Sequence, residues 1–255
     1  MSTPLDWRTP EALETLWAGY EHGLTTLITI SEENLLEGWH VKVLYGLLQA
    51  GLHALRHIRC GWPDNDISRM AWAARNALEL ELWIEYVTIS KENAERFHLD
   101  WLNDMSELLS KSVAVEKANA VGSETAGDEG MNKVTSFPYP DMDFGGHTVQ
   151  AAEALLASHR AQNPSLPEKY LRIGEIARLL GKEEMFKSIN SLLSKHIHPT
   201  AFSVLSFPSD RARLNMCTLI LENGCLSLIR LVGTLDEYLN GQNLPRILGD
   251  SCGVS

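Results

Sequence analysis

The sequence predicts an all-α protein, a multi-helix bundle of about seven to nine helices with no sheet. Apolar residues recur at helical spacing through most of the 255 residues, and helix-capping residues stand at the expected places. No segment alternates apolar and polar residues for long, and none joins β-branched runs through a hairpin turn. We therefore expect one helical domain over residues 1–255.

The first part of the chain is expected to contain four helices, bounded by residues that favour a helix start or stop. Hydroxyl side chains cap helix N-termini, proline fits the first turn, and glycine often ends a helix. The third helix follows the loop at 62–66. The boundary residues are Thr9 and Pro10 for the first helix, Ser31 for the start of the second, Cys60, Gly61 and Pro63 for its end, and Ser90 for the start of the fourth.

The helical pattern breaks between residues 121 and 146, where Gly, Ser, Thr, Asp, Glu and Pro prevail. We interpret this acidic segment as a mobile insertion or long surface loop. Helices resume after it, and the tail at 242–255 is expected to be loose. The expected boundaries are Thr148 for the next helix, Ile173 and Gly181 for a short one, Pro199 for the end of another, and Ser209 and Gly241 for the last.

Composition restricts the functional classes that the chain fits. The formal net charge of −11 opposes broad non-specific binding to nucleic acid, but it leaves room for a local basic site. The start of the sequence lacks the pattern of a secretory signal, and charges interrupt every long apolar run. None of the four cysteines forms a CxxC pair, and Cys217 and Cys225 are expected in the core. We expect a soluble cytoplasmic protein with no membrane span.

The most informative stretch runs from Arg69 to Met105. Its first half is apolar almost all the way round a helix, which predicts a buried helix. Arg75 and Glu79 lie within about 40° of each other on this helix, in the gap between two apolar sectors. A buried charge is costly unless it is paired, so we expect the two side chains to neutralise each other or a group from elsewhere.

A second stretch, residues 191–205, places Lys195, His196 and His198 at a helix end followed by Pro199. Cations and imidazoles suit the C-terminal end of a helix electrostatically, and this explanation needs no function. The alternative is that Pro199 fixes His198 on a short non-helical segment that faces the Arg75–Glu79 pair. A histidine placed there can act as an acid or a base near neutral pH.

These two stretches carry a resemblance to known proteins. The motif RNALELELWIEYV with Arg96-Phe97, together with SKxxHPTA at 194–201, resembles a group of bacterial all-helical proteins filed as a domain of unknown function. The chain is also distantly similar to the HEPN superfamily of helical domains. The resemblance covers roughly Leu36 to Val204 and implies a HEPN-like helical bundle.

The resemblance also implies a function and partners. HEPN proteins are often dimeric, and many are RNases of toxin–antitoxin and antiphage systems, whose active members use an arginine shortly before a histidine. That spacing does not occur in this chain, so Arg75 would have to supply the cation from another helix. The implied partners are a second copy, RNA or a nucleotide, and a protein of a defence or toxin–antitoxin system. The implied site consists of catalytic Arg75, Glu79 and His198 with substrate-binding Asn76, Lys195, His196 and Thr200.

Other interpretations stay open. The alternative to an enzyme is a non-catalytic interaction or dimerisation module in which Arg75 and Glu79 only brace the core. Glu95 and His98 have the ExxH spacing of di-iron bundles, and His53 and His57 have a metal-binding spacing, but both sets lack further ligands. Residues 172–193 have the cadence of a helix-turn-helix. No nucleotide, hydrolase or metalloprotease motif is present, so we expect no metal and no cofactor.

Overall fold

The computed structural model describes residues 6–104, 107, 149–162, 164, 171–197 and 209–247. The predicted all-α class is confirmed, because these described residues contain eight helices and no strand. In its described part the fourth helix covers 91–104. The helices are α1 (Pro10–Glu32), α2 (Gly38–Gly61), α3 (Ile67–Ile89), α4 (91–104), α5 (Val149–Gln162), α6 (Ile173–Leu179), α7 (Glu183–Ile197) and α8 (Asp210–Gly241).

Most helix boundaries follow the capping residues. The Thr9 hydroxyl accepts a hydrogen bond from the Ala12 amide at 3.3 Å, and Ser90 accepts one from the Asn93 amide at 3.2 Å. Ser209 caps α8 in the same way, with a 3.3 Å bond from the Ala212 amide. These predicted starts are confirmed, and they depend only on residues three positions apart.

The predicted start of the second helix at Ser31 is wrong. Ser31 lies in the last turn of α1, and α2 begins only at Gly38. Asn34 ends α1 instead, with a positive φ of 53° and an amide bonded to the Ser31 carbonyl. Asparagine adopts this left-handed conformation more readily than most residues, so it stops the helix that the serine hydroxyl was expected to start.

The chain divides into two compact units, Met1–Glu95 with Leu171–Ser255, and Arg96–Tyr170. In the second unit, α4 and α5 pack through Arg160, whose guanidinium donates to Asn103 Oδ1 at 2.9 Å, and through the rings of His98 and His159. The predicted insertion at 121–146 lies outside the described residues. The single-domain organisation stays a prediction.

In the first unit, α3 is the central helix and packs against α2, α6, α7 and α8. Helix α8 runs parallel to it, because the Arg213 side chain bonds the Asn65 carbonyl at one end and Arg230 meets Glu81 farther along. A helix that is apolar on most sides can pack against several neighbours at once. The predicted burial of this helix is therefore confirmed for most of its circumference.

Helices α1, α2 and α8 meet around Tyr20, which is fully buried. Its phenol donates a 2.9 Å hydrogen bond to the Leu228 carbonyl, and its ring lies against Gly51. Cys217 and Cys225 are buried in α8, as predicted, and burial raises the pKa of the Cys225 thiol to about 12. The close approach of α1 and α2 depends on a glycine at position 51, where a Cβ atom would overlap the tyrosine ring.

The prediction of a loose tail from 242 onwards is wrong for its described part, residues 242–247. Asp236 in α8 is 2% exposed and accepts hydrogen bonds from the Arg246 guanidinium and from the Ile247 amide, both at 2.7 Å. The Ile247 side chain lies against Gly23 of α1. A buried carboxylate requires such partners, and the tail supplies them. Residues 248–255 lie outside the described residues.

By length and composition alone, α8 could cross a membrane: its most apolar window of 18 residues has a mean hydropathy of 1.4. Half of that window is buried within the structure, as in the core helix of many water-soluble proteins. The buried residues of α8 pack mainly against α3 and α2. The expectation that the chain has no membrane-spanning helix stays a prediction.

Candidate functional site

Arg75 and Glu79 form the predicted ion pair, with Arg75 Nε 3.0 Å from Glu79 Oε1. The expectation that this pair is buried is wrong, because the side chains are 35% and 27% exposed. The gap between the two apolar sectors of α3 is therefore partly exposed to solvent. A helical wheel shows that such a gap exists, but it cannot show which sector the neighbouring helices leave open.

The open side of α3 has a defined composition. Trp72 is 45% exposed, and Asn76 and Trp83 are half-buried on the same side. Positions 72, 76, 79 and 83 follow one another at the spacing of a single helix face. We call this surface the α3 stripe, which consists of Trp72, Arg75, Asn76, Glu79 and Trp83.

The other half of the predicted site is only partly described. Lys195 is exposed near the C-terminal end of α7, the helix that packs against α3. His196 is 1% exposed, and burial, followed by the charge of Lys195, lowers the pKa of its imidazole. His196 was predicted to bind substrate; its ring is buried, and that assignment stays a prediction. His198 and Thr200 lie outside the described residues, and their meeting with Arg75 stays a prediction.

The sequence did not indicate that Glu81, the most buried carboxylate of α3, forms the centre of a cluster of charged side chains. Glu81 is 1% exposed, and its Oε1 atom lies 3.3 Å from Lys182 Nζ and 3.4 Å from the Arg230 guanidinium. Lys182 also pairs with Glu85. Burial opposes the charge of Lys182, but its contacts with Glu85 and Glu81 outweigh burial and raise the pKa of the ammonium group.

The signal for this cluster was weak. Glu81 and Glu85 stand in the LELELWIEYV run, where each carboxylate could face solvent. The two partners of Glu81, Lys182 and Arg230, lie 101 and 149 residues away from it in sequence. No local spacing therefore connects them with Glu81. The geometry gives the cluster a structural role, because Glu81 joins the segment before α7 and helix α8 to α3.

The described residues place no further metal ligand beside the His53–His57 pair or the Glu95–His98 pair. His57 Nδ1 accepts a hydrogen bond from Arg69 Nε at 3.3 Å, and the His57 ring meets the edge of Trp72. His98 stacks on Trp101 in the second unit. Among the described residues, no group of three or more His, Cys, Asp or Glu side chains is placed to hold a metal ion.

The helix-turn-helix cadence at 172–193 corresponds to α6 and α7, separated by a turn in which Gly181 has a φ of 69°. Lys187, the cation near the start of α7, lies 2.8 Å from Glu183 and 3.5 Å from Glu184. Carboxylates that surround the lysine oppose contact with a DNA phosphate. This arrangement favours a structural role for the two helices.

The chain matches no protein-family model, no curated protein and no solved structure.

Proposed function

We propose that the protein is a helical interaction module that pairs with a second copy of itself through the α3 stripe, in a HEPN-like role in bacterial defence or stress response. The observation that carries the proposal is the composition of the stripe. Its exposed tryptophan and its Arg75–Glu79 pair interrupt a helix that is otherwise largely buried. Tryptophan and arginine are the side chains most enriched at the energetic centres of interfaces.

The stripe is complementary to itself. A two-fold axis requires that a residue contacts its partner position in both directions. If two α3 helices cross antiparallel at the level of residue 77, Arg75 of each copy lies opposite Glu79 of the other. The same arrangement brings Trp72 of one copy to within one residue of the level of Trp83 of the other. Each copy would then exchange an intramolecular ion pair, which is half-exposed, for contacts across the interface.

Charge reversal tests this proposal. We expect the wild-type protein to sediment as a dimer in analytical ultracentrifugation, and Arg75→Glu or Glu79→Arg to shift it to monomer through like-charge repulsion. The double variant Arg75→Glu/Glu79→Arg should restore the dimer, because the opposite charges again face each other. Arg8→Glu is the matched control, since Arg8 forms an exposed pair with Asp6 elsewhere on the surface.

Two results would contradict the pairing proposal. One is a wild-type protein that stays monomeric over the whole concentration range. The other is a dimer that Arg75→Glu leaves as stable as Arg8→Glu does. A dimer with that behaviour would use a surface other than the α3 stripe.

RNA or nucleotide processing is the second candidate, favoured by one observation. The Arg75 side chain is 35% exposed and so accessible to a phosphate, and exposed Lys195 lies on α7, which packs against the same helix. In this function Arg75 would stabilise developing phosphate charge, His198 would transfer the proton, and Lys195 would attract the backbone.

Cleavage of a labelled single-stranded RNA tests this second function. We expect Arg75→Ala and His198→Ala to remain folded and to lose cleavage, whereas Arg8→Ala should keep it. Circular dichroism of each variant separates loss of chemistry from loss of folding. Equal cleavage by wild type and both variants, or none by wild type with RNA of varied sequence, would exclude the Arg75-centred site.

A further inference from the structure

Basic side chains gather where the C-terminal part of α2 meets the start of α3. Helix α2 contains none of the 33 Asp and Glu residues of this acidic chain. His53, Arg56 and His57 follow one another on one side of α2 at helical spacing, and Arg69 reaches the same side from α3. We call these four residues the α2–α3 basic cluster. His57 is half-buried, and the other three are exposed to solvent.

His57 is the centre of the cluster. Its Nδ1 atom accepts a hydrogen bond from Arg69 Nε at 3.3 Å. Burial lowers the pKa of its imidazole, and the charges of Arg69, His53 and Arg56 lower that pKa further. All three neighbours therefore lie close enough to act on the same ring, and the cluster carries repulsion between like charges.

No carboxylate compensates this repulsion in the part of the chain that the structure describes. Asp66, the nearest carboxylate before Arg69 in sequence, accepts the Arg69 backbone amide at 3.0 Å and so caps α3. Arg59 pairs with Glu14, whereas the guanidinium groups of Arg56 and Arg69 form no ion pair among the described residues. The C-terminal end of α2 favours cations, but it carries only about half a charge, so most of the positive charge stays unbalanced.

The bond to His57 also determines which donors of Arg69 remain available. It uses the Nε atom, and both Nη groups of Arg69 are left without a hydrogen-bond partner in the described residues. The two Nη groups carry four N–H donors in a planar fork that suits an oxyanion. An anion placed beside Arg56 and Arg69 would also relieve the repulsion between them.

We propose that the α2–α3 basic cluster binds the phosphate group of a small phosphate monoester, held by the guanidinium groups of Arg56 and Arg69 with the imidazoles of His53 and His57 beside them. A monoester carries two negative charges on one compact group, which matches the two guanidinium charges. A phosphodiester carries one charge and gains less from the second arginine. This site shares no residue with the α3 stripe, so it does not depend on the function proposed above.

Isothermal titration calorimetry of the full-length protein with glycerol 3-phosphate tests the site, at constant ionic strength and about pH 7.5, where the monoester is largely a dianion. We expect saturable binding with a dissociation constant of about 0.1–1 mM. Inorganic phosphate should bind within about threefold of this affinity if the phosphate group alone is recognised. Dimethyl phosphate is a singly charged diester, and succinate spreads two charges over separate carboxylates. Each should bind about tenfold more weakly or worse.

Substitutions assign the binding to the cluster. Arg56→Gln and Arg69→Gln should each weaken glycerol 3-phosphate binding by about tenfold or more, because each removes one charged donor group. Arg211→Gln is the matched control, since Arg211 is an exposed arginine on α8, and circular dichroism checks that each variant is folded.

Three results would overturn the proposal. The first is the absence of saturable heat up to about 10 mM glycerol 3-phosphate. The second is equal binding of dimethyl phosphate or succinate. The third is a loss of binding in Arg211→Gln as large as in Arg69→Gln, which would indicate general attraction of anions.

Discussion

Lys182 Nζ lies 3.3 Å from Oε1 of Glu81, a carboxylate that is 1% exposed at the centre of α3. The two residues are 101 positions apart in sequence. Arg230 approaches the same oxygen from α8 at 3.4 Å. One buried carboxylate therefore joins three parts of the first unit, and its neutralisation is a condition for their packing.

The first prediction concerns this cluster. Lys182→Met should destabilise the protein by about 2–3 kcal/mol, because Glu81 would keep only the half-exposed Arg230 as a partner in a site where an unmatched charge costs about 3–5 kcal/mol. Urea denaturation measures the loss. Lys187→Met is the control, since Lys187 pairs with Glu183 on the exposed surface and its removal should leave the denaturation midpoint nearly unchanged.

A second substitution distinguishes charge from packing in the same cluster. Glu81→Leu combined with Lys182→Met should recover most of the lost stability, because an apolar pair leaves no buried charge to neutralise. A double variant that is less stable than Lys182→Met alone would show that Glu81 has a role that its charge balance does not explain.

The second prediction concerns Gly51. A Cβ atom there would lie 2.6 Å from Tyr20 Cε1, so Gly51→Ala should destabilise the protein by about 1–3 kcal/mol through overpacking. Gly46 lies on the same helix with no atom near its Cβ position, and Gly46→Ala should stabilise by about 0.5–1 kcal/mol. Thermal denaturation of the two variants should move in opposite directions, and a common direction would contradict the packing described for Tyr20.

The third prediction concerns the tail. Asp236→Ala should destabilise the protein by about 1.5–3 kcal/mol, because it removes the buried carboxylate that accepts hydrogen bonds from Arg246 and from the Ile247 amide. Hydrogen exchange of the Ile247 amide should accelerate in this variant. Exchange at Ile247 that is already fast in the wild type would show that the tail is not held as described.

The fourth prediction concerns pH. His40 is buried, and burial lowers its pKa below the unfolded value of 6.5, so the unfolded chain binds more protons than the folded one below that pH. Its contribution to stability is complete above pH 6.5 and is lost as the pH falls toward the folded pKa. His40→Phe should therefore reduce the loss of stability between pH 7 and 5.5, measured by urea denaturation.

The other titratable groups around His40 do not change their charge between pH 5.5 and 7. Glu37 and Lys91 lie near His40 and keep their charges in that range, and Tyr238 stays protonated. His22→Phe on the surface of α1 is the control. The same pH dependence in wild type and His40→Phe would assign the acid sensitivity to other groups.

The fold class and most helix ends could be predicted because they depend on local chemistry. A hydroxyl cap or a left-handed glycine acts over three or four residues, and those signals at Thr9, Ser90, Gly181 and Ser209 agree with the structure. The prediction that Ser31 starts a helix is wrong because Asn34, three residues later, has a positive φ and ends α1. Local signals fail where two of them compete within one turn.

The candidate site was harder to predict because it depends on tertiary contacts. The spacing of Arg75 and Glu79 correctly indicated an ion pair, but not that its sector is open to solvent. The contacts of Glu81 with Lys182 and Arg230, and the hydrogen bond between Tyr20 and Leu228, join residues that are 101 to 208 positions apart. Single-sequence periodicity shows which side chains are apolar, and it does not show which distant helix meets them.

The Tyr20–Leu228 hydrogen bond has a consequence for synthesis of the chain. Its two residues are separated by 208 positions, so at about 5–20 residues per second the ribosome exposes α1 about 10–40 s before its partner helix emerges. During that interval the apolar side of α1 lacks the surface that finally covers it. Nascent chains should therefore need protection by a chaperone, and slower translation of the α8 codons should increase aggregation.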